Sequence, residues 1–201
     1  MINPVYRIEI DDLTIRCYEF EDAPKIKEAI DCSIEHLHKY MIWSHSEPET
    51  IEQKKARIKR WRTAFMENID YTYGIFRGEK QLGSTGLHTS LGMNSLEIGY
   101  WVRADEIRKG IATKASLALA IVALEYVKIS NVEIRHHINN TTSSKIPQKL
   151  NFKKLDNYFE DNIENGRWLM TKAFLDKNRE RLKKFYTSLK FYDIDGNELL
   201  R

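Results

Sequence analysis

The sequence predicts an α/β domain built on a mixed sheet, and three stretches carry that expectation. Arg77-Gly78-Glu79-Lys80 lies between two β-prone runs, Tyr71 to Arg77 and Gln81 to Ser90, and joins them as a hairpin. Ile98, Tyr100 and Val102 alternate along a strand that stops before Arg108-Lys109-Gly110. The run that follows, Ile111 to Val127, is alanine-rich, contains no Pro or Gly, and reads as a long helix. Val132 to Ile138 alternates again, so the helix separates two strands in a βαβ unit and the pair should be parallel. A hairpin and a parallel pair together make the sheet mixed.

The remaining elements follow in order. Leu13 to Tyr18 is a first strand, and Asp22 caps a helix with Pro24 in its first turn and Ile26, Ala29, Ile30 and Ile34 on one face. The cluster Tyr40-Met41-Ile42-Trp43 leads to a second helix from Thr50 to Asn68, whose buried stripe is Ile51, Ile58, Trp61 and Phe65. Lys54, Lys55, Arg57, Lys59, Arg60 and Arg62 read as its solvated face. A short helix opens at Asn140 or Thr141, with Pro147 expected to loosen or shorten it. Two closing strands, Phe152 to Phe159 and Arg167 to Phe174, flank a polar loop from Glu160 to Gly166. From Lys177 to Lys190 the pattern is a basic amphipathic helix bearing Leu182, Phe185, Tyr186 and Leu189. This divides the chain into a domain at 1–176 and a C-terminal helix and tail at 177–201.

Composition narrows the function classes. At 201 residues, 42% hydrophobic and 30% charged, the chain has the make-up of a soluble globular protein with a sizeable core. A net charge of +3 is too small to argue for nucleic acid as a partner. Cys17 and Cys32 make neither a disulfide framework nor a metal cluster, which favours a reducing compartment. No apolar run approaches a membrane span, and Met1-Ile2-Asn3-Pro4 lacks the basic and apolar regions of a signal peptide, so a cytoplasmic location is expected.

The chemistry-bearing stretch is the turn into the long helix. Gly110 and Ala112 permit close backbone approach where the helix begins, and its first turn offers free N–H groups and the positive end of a dipole. That suits a phosphate or pyrophosphate.

Two motifs then give a resemblance. Glu97-Ile98-Gly99-Tyr100-Trp101-Val102 ahead of Gly110-x-Ala112, in a β-α-α-β-β-β-α-β-α-β-β order, resembles the GNAT superfamily of acyl-CoA-dependent N-acyltransferases. The segment Asn140-x-x-Ser143-x-x-Ile146-Pro147-x-Lys149-Leu150-Asn151-Phe152 is similar to the branch of ribosomal-protein α-amine acetyltransferases (RimJ/RimL-like) and relatives acting on small amines. The match runs from about Leu13 to Phe174. It departs from the pattern at Ile107, where Arg or Gln is usual, and at Arg108 and Asn151, where Gly is usual.

The resemblance implies a mostly antiparallel sheet splayed between its two parallel strands, acetyl-CoA as cosubstrate and no metal. Trp101, Val102 and Arg103 would then act through their main chain on the pantetheine arm and the thioester carbonyl. Lys109, Gly110, Ile111, Ala112 and Thr113 would cradle the pyrophosphate, with Arg108 adding positive charge.

Acetyl transfer to an amine requires a deprotonated amine, fixed donors for the oxyanion and a proton for the thiolate. Glu97 is the candidate base, directly or through a water, its other reading being a surface strand carboxylate. Ser143 corresponds to the position that protonates the thiolate in the ribosomal-protein branch, or else bonds the helix backbone. No tyrosine lies between Asn140 and Phe152 to take that role. Asn140 contacts the pantetheine arm, caps the helix, or both, and Lys145 reaches the adenosine phosphate or solvent. His136 and His137 point to opposite faces and cannot form a shared metal site by themselves, and His88 either lies near the acceptor cleft or, by the preferred reading, is an exposed or core-edge residue. Trp43, Trp61 and Trp101 read as core, and Cys32 as a small buried hydrophobe.

The acceptor is a peptide N-terminus or a small amine. The rival reading is a non-catalytic CoA-binding or interaction module on the same fold. The C-terminal helix packs on the domain or across a homodimer interface, in preference to docking on RNA.

Overall fold

The computed structural model describes residues 5–89, 91–92 and 94–200. Strands β1 (Arg7–Ile10) and β2 (Leu13–Cys17) are followed by α1 (Ala23–Asp31), the single turn α2 (Ile34–Leu37) and α3 (Ile51–Met66). The hairpin of β3 (Tyr71–Arg77) and β4 (Lys80–His88) leads to β5 (Ser95–Val102), α4 (Ile111–Ile121) and β6 (Asn131–His137). Then come α5 (Thr141–Lys149), β7 (Lys153–Glu160), β8 (Ile163–Thr171), α6 (Lys172–Leu182) and β9 (Leu189–Tyr192). The strands form one sheet in the order β7-β8-β6-β5-β4-β3-β2-β1-β9, antiparallel throughout except for β5 with β6.

Helices cover both faces of the sheet. Against one lies α4, whose residues from Ala115 through Ile121 are all buried, among Ile15, Tyr73, Ile75, Leu96, Ile98, Val132 and Ile134. A helix apolar all round must be buried all round, which is why it reads as a continuous run and not a stripe. It continues through a π-turn at Val122–Tyr126, so the helical stretch matches the sequence expectation to within a residue. On the other face, Ala23, Ile26, Ala29 and Ile30 of α1 and Ile58 of α3 pack with Tyr18, Phe76 and Trp101.

The parallel pair is short. β5 and β6 register only from Ser95↔Asn131 to Glu97↔Glu133, and beyond it they diverge. From Ile98 to Val102 the edge of β5 that faces β6 has no ladder partner among the described residues. That divergence opens the site described below.

Three expectations are corrected. The C-terminal stretch is not one helix from Lys177: α6 begins at Lys172, where Thr171 Oγ1 accepts from Phe174 N–H at 3.3 Å, and ends at Leu182. Leu189–Tyr192 is a strand, antiparallel to β1, with Phe191 buried beneath the sheet. The final strand pair is joined by the two-residue turn Asp161-Asn162, both at positive φ (48° and 62°), so Ile163 to Gly166 belongs to β8 and not to a loop. The basic face of α3 is only partly solvated. Lys54 is fully buried against Glu47 and 3.0 Å from Glu49, Arg57 pairs with Glu49, and Arg62 reaches Glu19 at 2.5 Å.

Cys32 is exposed, its thiol donating to the Ala29 carbonyl at 3.3 Å. Ser90, the expected end of β4, lies outside the described residues.

Candidate active site

The turn before α4 carries backbone amides that the helix ladder does not use. Arg108 (φ 63°) and Gly110 (φ 81°) both take the left-handed conformation, which swings the chain from Ile107 into the helix. The α4 ladder starts with Lys114 N–H on the Gly110 carbonyl at 3.0 Å, leaving the amides of Ile111, Ala112 and Thr113 outside it. They face a cleft of about 630 Å³ walled by Trp101, Val102, Ile107, Arg108, Lys145 and Ile146. An α-helix N-terminus with unspent amides attracts phosphate, and Arg108 and Lys145 add charge of the same sign.

Not every residue assigned to this end is brought into it. The Arg103 backbone is spent on the fold, its N–H on Leu82 O at 2.9 Å and its carbonyl on Glu106 N–H at 3.0 Å. Its buried guanidinium bonds Asp105 (2.7 Å) and Glu28 (3.0 Å), away from the cleft. Lys109 turns its ammonium to Glu106 at 3.0 Å. Hydrogen bonds from Lys80 and Lys109 hold the Glu106 carboxyl at a pKa of about 2, against the opposing effect of burial.

A second cleft, of about 460 Å³, opens on the other side of β5. Its walls include Trp43, Arg57, Trp61, His88, Glu97 and Arg135. The three tryptophans expected in the core also line this cleft: Trp101 is buried in the core and Trp43 and Trp61 pack against it, with the Trp43 and Trp101 rings 6.2 Å apart. His136 and His137 line it too, although they alternate on β6. His136 accepts from Trp168 Nε1–H at 3.0 Å, and His137 Nδ1 accepts from Asn139 N–H at 3.1 Å. No group of three or more His, Cys, Asp or Glu able to hold a metal ion is found among the described residues.

The two clefts meet. Tyr40, Met41, Tyr100, Trp101, Asn140 and Ser143 line both, so β5 supplies Glu97 and Gly99 to one cleft, Val102 to the other, and Tyr100 and Trp101 to the junction. Asn140 caps α5, its Oδ1 accepting from Ser143 N–H at 3.0 Å, which fixes Ser143 in the first turn. The Tyr100 hydroxyl is 2.7 Å from Ser143 Oγ and also donates to the Ser143 carbonyl at 3.4 Å. Pro147 explains the second contact: it stands four residues beyond Ser143, where a helix would supply the N–H for that carbonyl, and proline has none. Burial pushes the Tyr100 phenol up to about 12, the bond to Ser143 pulling the other way, so it is protonated across the working pH range.

Tyr100 is the residue sequence reasoning missed. No phenol lies between Asn140 and Phe152; one arrives instead from the strand across the splay.

No helix among the described residues is long and apolar enough to cross a membrane.

Comparison with known proteins agrees with this geometry. Residues 12–153 match the family described as acetyltransferase (GNAT) domain. The chain is 26% identical over 143 residues, 71% of its length and 78% of the relative's, to YdaF of Bacillus subtilis (strain 168), a ribosomal N-acetyltransferase by its assigned name. It also superposes on Mycobacterium smegmatis RimJ solved in complex with CoA-disulfide (TM-score 0.75, 17% identity, 89% of this chain and 91% of that one). A third likeness is to the microcin C7 self-immunity acetyltransferase MccE in complex with acetyl-CoA and AMP (TM-score 0.72, 17% identity, 80% and 93%). These last two establish a shared fold. The chain belongs to the acetyltransferase (GNAT) domain family and is an N-acetyltransferase.

Proposed function

We propose that the chain transfers an acetyl group from acetyl-CoA to a primary amine, a protein N-terminal α-amine or a small-molecule amine, by direct attack in a ternary complex. The observation that carries this reading is the meeting of an anion-suited cleft and an aromatic cleft at Tyr100, Trp101, Asn140 and Ser143. The cosubstrate fits the first cleft. The amides of Ile111, Ala112 and Thr113 and the charge of Arg108 suit its pyrophosphate, Lys145 its adenosine phosphate, and the unladdered edge of β5 at Trp101 and Val102 its amide-bearing arm. When bound, it supplies an acyl carbon activated as a thioester.

The chain's own groups do the rest. Glu97, in the second cleft, carries the negative charge that draws in the ammonium form of the acceptor. Main-chain donors of β5 polarise the acyl carbonyl. Ser143 donates its hydroxyl proton to the leaving sulfur, and Tyr100 Oη–H, at 2.7 Å, supports the oxygen that gives it. Asn140 holds Ser143 in place from the cap.

The test is thiol release on mixing the chain with acetyl-CoA and a panel of primary amines. Turnover is expected, with Ser143→Ala lowering kcat by about 10²-fold or more and Glu97→Gln lowering kcat/KM. Tight acetyl-CoA binding without acetylation of any amine would mean a non-catalytic CoA-binding module instead.

A further inference from the structure

β4 and β5 pair with His88 opposite Glu97 and Gly86 opposite Gly99. His88 Nδ1 lies 2.9 Å from Asp70 Oδ1 and 3.2 Å from Oδ2, a carboxylate that precedes β3 and is 18 positions away in sequence. A proton on Nδ1 satisfies that carboxylate and leaves Nε2 as the basic nitrogen on the far side of the ring.

The ring lies over two glycines. A Cβ at Gly86 would stand 2.8 Å from Nε2, and one at Gly99 would stand 2.9 Å from it. Any side chain at either position would displace the imidazole, so the chain keeps the floor beneath Nε2 clear on both strands. His88, Glu97 and Gly99 line the same acceptor cleft.

We propose that His88, oriented by Asp70, is the base that takes the proton from the acceptor amine, with Glu97 across the strand pair as the carboxylate that attracts the ammonium. This rests on the transferase reading above and names the proton's destination within it. An ordinary carboxylate, near pH 4, is about four units less basic than an α-amine, whereas an imidazole is within about one to two. Asp70 holds the tautomer and stabilises the imidazolium once it forms, the division of labour of any oriented imidazole base. Asp70 and Glu97 raise the affinity of His88 for a proton above the usual imidazole value while burial opposes them. Across the cleft stand Arg57 of α3, Arg135 and His137 of β6, and Glu160 of β7.

The step balances. The amine proton passes to Nε2, and the freed nitrogen lone pair forms the C–N bond at the acyl carbon. The C–S bonding pair leaves on sulfur, which takes a proton from the Ser143–Tyr100 hydroxyls. The ring hands that proton to solvent, and the second proton that nitrogen sheds as the amide forms returns through solvent to the hydroxyl pair, so acetylation of an ammonium releases one proton in all.

The experiment is the pH dependence of transfer from acetyl-CoA to several amines of different basicity, for the wild type, His88→Gln, Asp70→Asn and Glu97→Gln. A limb due to the amine shifts from one amine to the next, while a limb due to the enzyme stays in place. In the wild type, kcat is expected to rise along a fixed acidic limb. Asp70→Asn keeps the ring and should move that limb about one pH unit lower. His88→Gln should abolish the limb and lower kcat by about 10²-fold or more, with acetyl-CoA affinity by calorimetry unchanged. An unmoved limb in Asp70→Asn overturns the assignment and leaves the transferase reading standing, as does a limb that survives in His88→Gln at near wild-type rate. A limb lost only in Glu97→Gln gives the role to Glu97. A wild type that binds acetyl-CoA and acetylates none of the amines removes both readings together.

Discussion

Lys54 is fully buried, its ammonium paired with the equally buried Glu47 and 3.0 Å from Glu49, which in turn holds Arg57. Replacing it with Met keeps the stem and removes the charge, leaving Glu47 with the Glu49 N–H at 2.8 Å but no cation. Removing one partner of a buried pair costs about 3–5 kcal/mol, and the surviving backbone bond puts this site at the lower end, near 3. For a chain of this size that lowers Tm by roughly 6–12 °C. Glu47→Gln leaves Lys54 its second carboxylate and should cost only about 1–2 kcal/mol. The double variant strands no charge, so it should cost less than the sum of the two, by at least about 1 kcal/mol. Thermal and urea unfolding of the four proteins measures this directly. A Lys54→Met cost below about 1 kcal/mol, or strict additivity, would refute the coupling. The segment held by these ions carries Tyr40, Met41 and Trp43 into the acceptor cleft, so the acceptor KM should rise in Lys54→Met even well below its Tm.

Three further outcomes are expected. Tyr100→Phe removes the hydroxyl behind Ser143 and should lower kcat by about tenfold or more with the acetyl-CoA KM unchanged; combined with Ser143→Ala it should add little, as groups acting in one unit do. A Cβ at Gly110 meets no atom within 4 Å, so Gly110→Ala bears only the left-handed backbone, about 1 kcal/mol, while its methyl at the mouth of α4 should raise the acetyl-CoA KM, read by steady-state kinetics. His136 is held neutral, because Trp168 donates to its Nε2 and burial lowers its pKa. Its folded value lies below the unfolded one, so its contribution is fully present above about pH 6.5 and is lost as pH falls from there through the lower folded value; His88, shifted the other way, acts in the opposite sense. Urea midpoints at neutral and mildly acidic pH, compared between the wild type and His136→Gln, should show the smaller drop in the variant.

The parts of the fold that are periodic are readable in the sequence. The alternation through Ile98 and Val102, the breakerless run from Ile111 and the hairpin at Gly78 gave β5, α4 and the β3–β4 pair, and Asn151, standing where Gly is usual, takes a left-handed φ (64°). What failed were features that depend on partners distant in sequence. β9 is a four-residue edge strand in a basic segment, and its identity comes from pairing with β1, nearly the whole chain away. Lys54 lies among exposed cations on α3, and nothing in the helical period says that Glu47 and Glu49 fold back over it. The Asp161-Asn162 turn was the one legible miss, since both residue types tolerate positive φ between paired strands. In the site, the turn into α4 was legible because it is local. Tyr100 with Ser143 and His88 with Asp70 are joined only by register and splay.

The splay also explains how one strand can line two clefts. Had β6 stayed in register with β5 beyond Glu97, the edge of Tyr100 and Trp101 would be consumed by a ladder and the two clefts would be walled apart. Because the strands part there, α5 enters the gap from the far end of β6, and its cap at Asn140 sets Ser143 against Tyr100. Pro147 then withholds one helical N–H from the Ser143 carbonyl and leaves it to the same phenol. A proline that sequence reasoning treats as a flaw in a short helix therefore tightens the link between the two sides of the site. Replacing Pro147 by Ala should lengthen the α5 ladder, release the Tyr100 hydroxyl from that carbonyl and lower kcat while raising helix stability. A variant with unchanged kcat would show that the Oγ contact alone sustains the proton path.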